Sequence, residues 1–124
     1  MFKNQFNFLL QQHIRERIVF DALLKRGTRL SNRCFVFCYM PTSLDYPRLG
    51  MIIAKRHCAL AVHRHRIKRQ IRERFRLNQH ALFGTDLVVL LRSSVKNVEE
   101  HEQNECLENL FLKLATLQCE SASR

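Results

Sequence analysis

Residues 48–56 read RLGMIIAKR, and after a short connection residues 61–76 read AVHRHRIKRQIRERFR. The first run is apolar and ends in two cations, which predicts a strand over Arg48–Lys55. The second run repeats its apolar residues at helical spacing, which predicts a helix over Leu60–Asn78. A strand followed by an amphipathic helix indicates a fold in which the helix packs on a sheet.

This predicted helix has two unlike faces. On a wheel of about 100° per residue, Ile67, Ile71 and Phe75 fall within a narrow arc and form an apolar stripe. The other side is cationic, because residues 55–76 contain nine basic residues and one acid and carry +8 of the net +10. Like charges on one helix repel each other. Such a face therefore predicts a polyanionic partner, with an ordinary solvated helix as the alternative.

The rest of the chain adds two strands and two helices. Their predicted bounds are Arg15–Arg26 for a helix, Arg33–Met40 and Asp86–Arg92 for strands, and Val98–Gln118 for a last helix. Gly27 is the predicted stop of the first helix, and Asn97 the predicted N-cap of the last. The strand that ends before Pro41 is expected to lie antiparallel to the strand that begins at Arg48. The order α-β-β-α-β-α predicts an α+β fold, a single-domain α-β sandwich.

Composition and charge narrow the class of partner. A chain of 124 residues with 46% hydrophobic residues predicts one folded domain rather than a disordered basic tail. Its basic charge suits nucleic acid or an anionic membrane surface, and its apolar runs are too short to cross a bilayer. Binding of the basic helix to a membrane surface stays open as an alternative. Residues 97–124 carry −4, so a cationic middle precedes an acidic end.

The cysteines indicate the compartment. Five cysteines form no Cys-x-x-Cys pair, and the N-terminus lacks the pattern of a signal peptide. We therefore expect free thiols in a reducing cytoplasm and no metal site. His63 and His65 do not change this expectation, because a spacing of two points them to different sides of a helix.

The stretches at 48–56 and 61–75, with DLVVLLR at 86–92, resemble the protein subunit of bacterial ribonuclease P. Phe20, Gly27 and NRCFVF at 32–37 also match the pattern of that family, so the resemblance covers about residues 17–92. It implies one domain over residues 1–124, with residues 1–14 and 119–124 as flexible ends. It also implies a central sheet in which a left-handed β-α-β crossover carries the basic helix between parallel strands.

The resemblance implies a role in the 5′ maturation of tRNA. In that family the protein assembles with a catalytic RNA and helps to bind the 5′ leader of precursor tRNA, in the cytoplasm. The endonuclease chemistry belongs to the RNA subunit and its Mg²⁺ ions, so no catalytic residue and no cofactor are expected in the protein alone. No membrane and no protein partner are implied.

Two sets of site residues follow from matching this sequence to the family pattern. The expected RNA-binding residues are Lys55, Arg56, Arg64, His65, Arg66, Lys68, Arg69, Arg72 and Arg76. The expected lining of the leader cleft is Phe20, Leu24, Val36, Cys38 and Arg56. The chain departs from the pattern at His65, where asparagine is usual, and at Cys38, where an aromatic residue is common. Bases stack on aromatic side chains, so Phe20 is the main stacking surface expected in the cleft.

Two other functions stay open at this point. A protein-only nuclease could use paired histidines as general acid and base, and six histidines are present. A non-catalytic module that binds RNA or the ribosome would need only the cationic face. Cleavage of RNA by the protein alone would favour the first of these alternatives.

Overall fold

The computed structural model describes residues 12–92 and 98–122, with side chains described as far as residue 118. The helices are α1 (Arg17–Arg26), α2 (Ala61–Asn78) and α3 (Glu100–Ala122), and the strands are β1 (Thr28–Ser31), β2 (Phe35–Pro41), β3 (Arg48–Ile52) and β4 (Thr85–Leu91). A short 3-10 helix over Gln79–Leu82 follows α2. The six predicted elements are confirmed with bounds shifted by a few residues. The expected N-cap, Asn97, lies outside the described residues.

The four strands form one sheet in the order β1-β2-β4-β3. β2 is antiparallel to both β1 and β4, and β3 is parallel to β4. The strands at 33–40 and 48–55 run antiparallel, as expected, but they do not pair directly, because β4 lies between them. Leu87, Val88 and Val89 are fully buried, and a strand that is apolar on both faces is stable only in the sheet interior. The parallel pair joined through α2 is confirmed, and the left hand of that crossover stays a prediction.

The sheet separates two apolar layers. One face holds Phe37 of β2 and Val89 of β4 against α2 and α3, and Phe37 meets Phe111 edge to face at 4.8 Å. The other face holds Val88 against Leu23 of α1. Neighbouring residues of β4 thus serve opposite layers, as side chains alternate along a strand. The chain is a mixed α+β single domain, as predicted.

The missed elements have little apolar signal. β1 reads TRLS, and of its residues only Leu30 is partly buried.

α1 ends at the glycine that the sequence indicated. The Gly27 N–H donates to the Leu23 carbonyl at 2.9 Å. A Cβ at Gly27 would lie 2.4 Å from that same carbonyl oxygen. The predicted helix stop at Gly27 is therefore confirmed.

A buried ion pair holds the start of β3 to β4. The Arg48 guanidinium donates to both carboxylate oxygens of Asp86 at 2.8 and 2.6 Å, and the two residues face each other in the strand register. Asp86 is only 5% exposed. A bidentate pair of this kind is geometrically specific, so it fixes the register of the parallel strands that α2 connects.

The segment before α1 runs beside β3. His13 forms a parallel bridge with Leu49, and the Ile14 N–H donates to the Leu49 carbonyl at 2.9 Å. Gln12 and Ile14 are buried. Of the ends expected to be flexible, residues 12–14 are thus packed against the sheet, and residues 1–11 and 123–124 lie outside the described residues.

Candidate nucleic-acid interface

The apolar stripe predicted for α2 packs this helix against the sheet. Ile67 is 2% exposed, and Ile71 and Phe75 are fully buried. Their burial turns the opposite, cationic side of the helix to solvent. The first turn of α2 contains no acid, so the partial positive charge of the helix N-terminus adds to that of the side chains.

Most of the expected RNA-binding residues lie on this outward side. His65, Arg66 and Arg69 are exposed, whereas Lys68 and Arg72 are half-buried. A concavity of about 390 Å³ is lined by Val62, His65, Arg66, Arg69 and Arg72. The structure therefore brings Arg66, Arg69 and Arg72 to one shallow surface. We call this surface, together with His65 and Lys68 on the same side of the helix, the cationic face of α2.

Carboxylates neutralise only part of α2. Arg66 lies 3.6 Å from Glu100 of α3, and Arg74 lies 3.7 Å from Glu108 of the same helix. Arg76 is paired with Glu73 within α2, and this hydrogen bond lowers the pKa of Glu73. Across residues 12–92 and 98–118, by contrast, no ion pair involves Lys68, Arg69 or Arg72. These three cations are therefore available to an external anion.

Arg64 has a different place from its neighbours. Its guanidinium turns back to the loop before α2 and donates to the carbonyls of Cys58 and Ala59 at 3.0 and 2.7 Å. On a helical wheel Arg64 falls about 60° from Ile67, at the edge of the apolar stripe, and its side chain is half-buried. In this structure it stabilises the connection from β3 to α2. Lys55 and Arg56, at the start of that connection, are exposed.

The expected leader cleft lies on the other face of the sheet, beside α1. The Phe20 ring packs against the cluster that contains Leu23 and Val88, and a Cβ at Gly50 would lie 2.5 Å from the ring. Glycine at this position therefore leaves room for the Phe20 ring beside β3. Val36 and Cys38 point to the same side of β2, as alternation predicts.

The members of this set differ in accessibility. Phe20, Leu24 and Val36 are half-buried, and Arg56 is exposed. Cys38 is fully buried, and burial raises the pKa of its thiol. Cys38 can thus form part of the floor beneath a ligand, whereas Phe20 is the aromatic surface among these residues.

Two residues near the cationic face escaped the sequence reasoning. Glu100 accepts a hydrogen bond from the Gln70 side chain at 3.1 Å and also pairs with Arg66. His13 lies with Arg69 and Arg72 around a second concavity, of about 410 Å³. Glu100 is thirty residues from Gln70 in sequence, and His13 is more than fifty residues from Arg69 and Arg72. No local pattern connects residues that only the packing brings together.

Among the described residues, the other reactive side chains give no comparable site. Cys34, Cys38, Cys58 and Cys106 are buried free thiols, and burial together with a hydrogen bond to Cys106 raises the pKa of Cys34 to about 11. Glu99, His101 and Glu102 have ligand-type atoms within 4.8 Å of one another at the start of α3. They are largely exposed, and such clusters are common without an ion. In the described part of the chain, no helix is both long and apolar enough to span a bilayer.

The family model and the similar proteins point to the same family. The family model for ribonuclease P matches residues 8–115. A ribonuclease P protein component of Nitrosococcus oceani is 38% identical over 110 residues, which cover 89% of this chain and 92% of that protein. One from Ectopseudomonas mendocina is 50% identical over 72 residues, which cover 58% of this chain and 54% of that protein.

Solved structures agree in fold. The ribonuclease P protein of Staphylococcus aureus has a TM-score of 0.73 and 30% identity, covering 84% of this chain and 94% of its own. That of Thermotoga maritima has a TM-score of 0.68 and 31% identity, covering 82% and 96%. The similarity thus extends over nearly the whole of the described fold.

Proposed function

The chain belongs to the ribonuclease P protein family, and from this premise we propose which of its surfaces binds which RNA. Ribonuclease P is an endoribonuclease of tRNA 5′ maturation in which the RNA subunit provides catalysis. The protein subunit therefore has an RNA partner within the holoenzyme. The role that remains for the protein is to bind RNA and to position it.

We propose that the cationic face of α2 binds the backbone of the catalytic RNA. One observation carries this proposal: Arg69 and Arg72 line one solvent-facing concavity, and neither they nor the neighbouring Lys68 form an ion pair among the described residues. Guanidinium groups bind phosphate oxygens bidentately. The full proposed set keeps the sequence expectation, namely Lys55, Arg56, Arg64, His65, Arg66, Lys68, Arg69, Arg72 and Arg76.

The 5′ leader of precursor tRNA is assigned to the other side of the sheet. The half-buried Phe20 ring beside Gly50 is the proposed stacking surface, and Leu24, Val36, Cys38 and Arg56 complete the proposed set. Stacking on a single aromatic residue is worth about 1–3 kcal/mol per base. The leader is therefore held mainly by shape and by phosphate contacts.

The chemistry in this proposal needs no catalytic side chain from the chain. Mg²⁺ belongs to the RNA subunit, where it would activate water and stabilise the charge that develops on the cleaved phosphate. The working location is the cytoplasm, where the buried free thiols stay reduced. Neither a membrane nor a second protein is part of the proposal.

The test is leader removal from precursor tRNA at low Mg²⁺, with the catalytic RNA alone, with the protein alone, and with both. We expect efficient cleavage only with both. Equal rates with and without the protein would refute the proposal. Cleavage by the protein alone would support the nuclease alternative instead.

A matched pair of variants locates the surface. Lys68→Ala removes a cation from the cationic face, and Lys113→Ala removes one from the exposed side of α3. We expect Lys68→Ala to weaken binding to the catalytic RNA and Lys113→Ala to leave it unchanged. Equal losses would mean that the affinity reflects net charge rather than a site.

A further inference from the structure

A groove lies between the N-terminal segment and α2. The segment is held beside β3 by the His13–Leu49 bridge, and its Gln12 side chain donates to Gln79 at 3.0 Å. Gln12 and Gln79 are only 3% and 6% exposed. A buried hydrogen bond of this kind fixes the separation of the segment from the end of α2. His13 is therefore positioned by the fold rather than by a loose chain end.

The groove is cationic. It encloses about 410 Å³ and is lined by His13, Arg69, Arg72, Glu73 and Arg76. Glu73 accepts a hydrogen bond from Arg76 at 3.2 Å, so these two charges cancel. Arg69 and Arg72 then provide the net charge of the groove on the α2 side, and His13 faces them from the other wall.

The surroundings of His13 make its charge sensitive to an anion. Burial, then Arg15, then Arg72 lower the pKa of its imidazole. A bound anion between His13 and Arg72 would oppose both arginine effects and favour the protonated ring. The charged groups around the ring are Arg15 on its own segment and Arg69, Arg72, Glu73 and Arg76 on α2.

We propose that His13 and Arg15, together with Arg69 and Arg72, form a binding site for an RNA phosphodiester between the N-terminal segment and α2. This inference rests on the proposed function and extends its RNA surface from one helix to a two-walled groove. The phosphodiester belongs either to the catalytic RNA or to the precursor tRNA leader. Both offer the same chemistry, and the assays below separate them.

The experiment measures two affinities at about pH 5.5 and about pH 7.5. The first is that of the full chain for the catalytic RNA, and the second is that of the reconstituted holoenzyme for precursor tRNA with and without its leader. The proteins are wild type, His13→Asn, which cannot be protonated, and His13→Lys, which is always charged. His101→Asn is the matched control, because that imidazole lies 3.2 Å from Glu99 rather than beside arginines.

We expect the wild type to bind more tightly at the lower pH, and His13→Asn to lose about tenfold there and less at neutral pH. His13→Lys should bind tightly at both values, which also shows that substitution at this position leaves the fold intact. A loss with the catalytic RNA assigns the phosphodiester to that RNA. A loss confined to precursor with a leader assigns it to the leader.

Two results would overturn the inference. One is wild-type affinity and pH dependence for His13→Asn in every assay, and the other is an equal loss in His101→Asn. Failure of the wild type to bind the catalytic RNA at either pH is a different result. It would refute the proposed function itself, and this inference with it.

Discussion

α2 and α3 lie side by side on one face of the sheet and bury the same kind of surface. α2 buries Ile67 and Ile71, and α3 buries Leu107 and Phe111, all at 2% exposure or less. Their solvent-facing sides differ in charge, since that of α2 is cationic and α3 begins with acidic residues in its first turn. The apolar stripe therefore decides where each helix lies, and the polar side decides what it can bind.

The two helices also meet through their charges. Glu100 of α3 contacts Arg66 and Gln70 of α2, and Glu108 contacts Arg74. These are exposed pairs, and such pairs contribute little to the stability of a fold. If the cationic face of α2 binds RNA as proposed, Glu100 competes with an RNA phosphate for Arg66.

The largest effect is expected from removing part of the buried apolar stripe, which both helices have. Phe111→Ala deletes a fully buried ring that packs on Phe37. We expect the free energy of unfolding to fall by about 3–5 kcal/mol, from lost burial and the cavity left behind. Urea denaturation measures this. Leu112→Ala, next in sequence but 55% exposed, should change it by about 0.5 kcal/mol or less.

The second-largest effect is expected from removing a cation of α2, since the cationic side distinguishes this helix from α3. Arg69→Ala should weaken binding to the catalytic RNA about tenfold, because it deletes one phosphate contact. The slope of log affinity against log salt should become shallower by about one unit. A filter-binding titration at several salt concentrations gives both values. An unchanged slope would move the interface away from Arg69.

A smaller effect tests the contact between the helices. Glu100→Gln releases Arg66 from its carboxylate, so RNA affinity at low salt should rise by up to about fivefold. Glu108→Gln is the matched control, because its partner Arg74 is outside the proposed RNA-binding set. If both variants gain equally, the effect is one of net charge and Glu100 does not compete with RNA.

The smallest effect concerns stability and pH. The folded protein lowers the pKa of His13 below its usual value of 6.5, so the unfolded chain binds a proton more readily. The stabilising contribution of the neutral ring is complete above about pH 6.5 and is lost as the pH falls through the folded-state pKa. The thermal unfolding temperature of the wild type should therefore fall more steeply as the pH is lowered than that of His13→Asn. Parallel curves would contradict this.

The sequence predicted the elements with strong periodicity and missed those without it. The stripe of α2 at Ile67, Ile71 and Phe75 and the apolar run of β4 were both found, because burial imposes the pattern that periodicity detects. β1 was missed because its residues lie at an exposed edge and carry almost no apolar signal. The position of β4 between β2 and β3 was not predicted, since strand order depends on which strand needs two partners.

The sequence by itself determined that α2 has a cationic side, because charge and helical spacing are local properties of residues 55–76. Only the tertiary structure decided which of those cations are available. Arg64 donates to the loop carbonyls and Arg66 contacts Glu100, whereas Arg69 and Arg72 line the groove opposite His13. Which side chains share a surface depends on distances set by the packed core, and helical periodicity carries no information about partners on other elements.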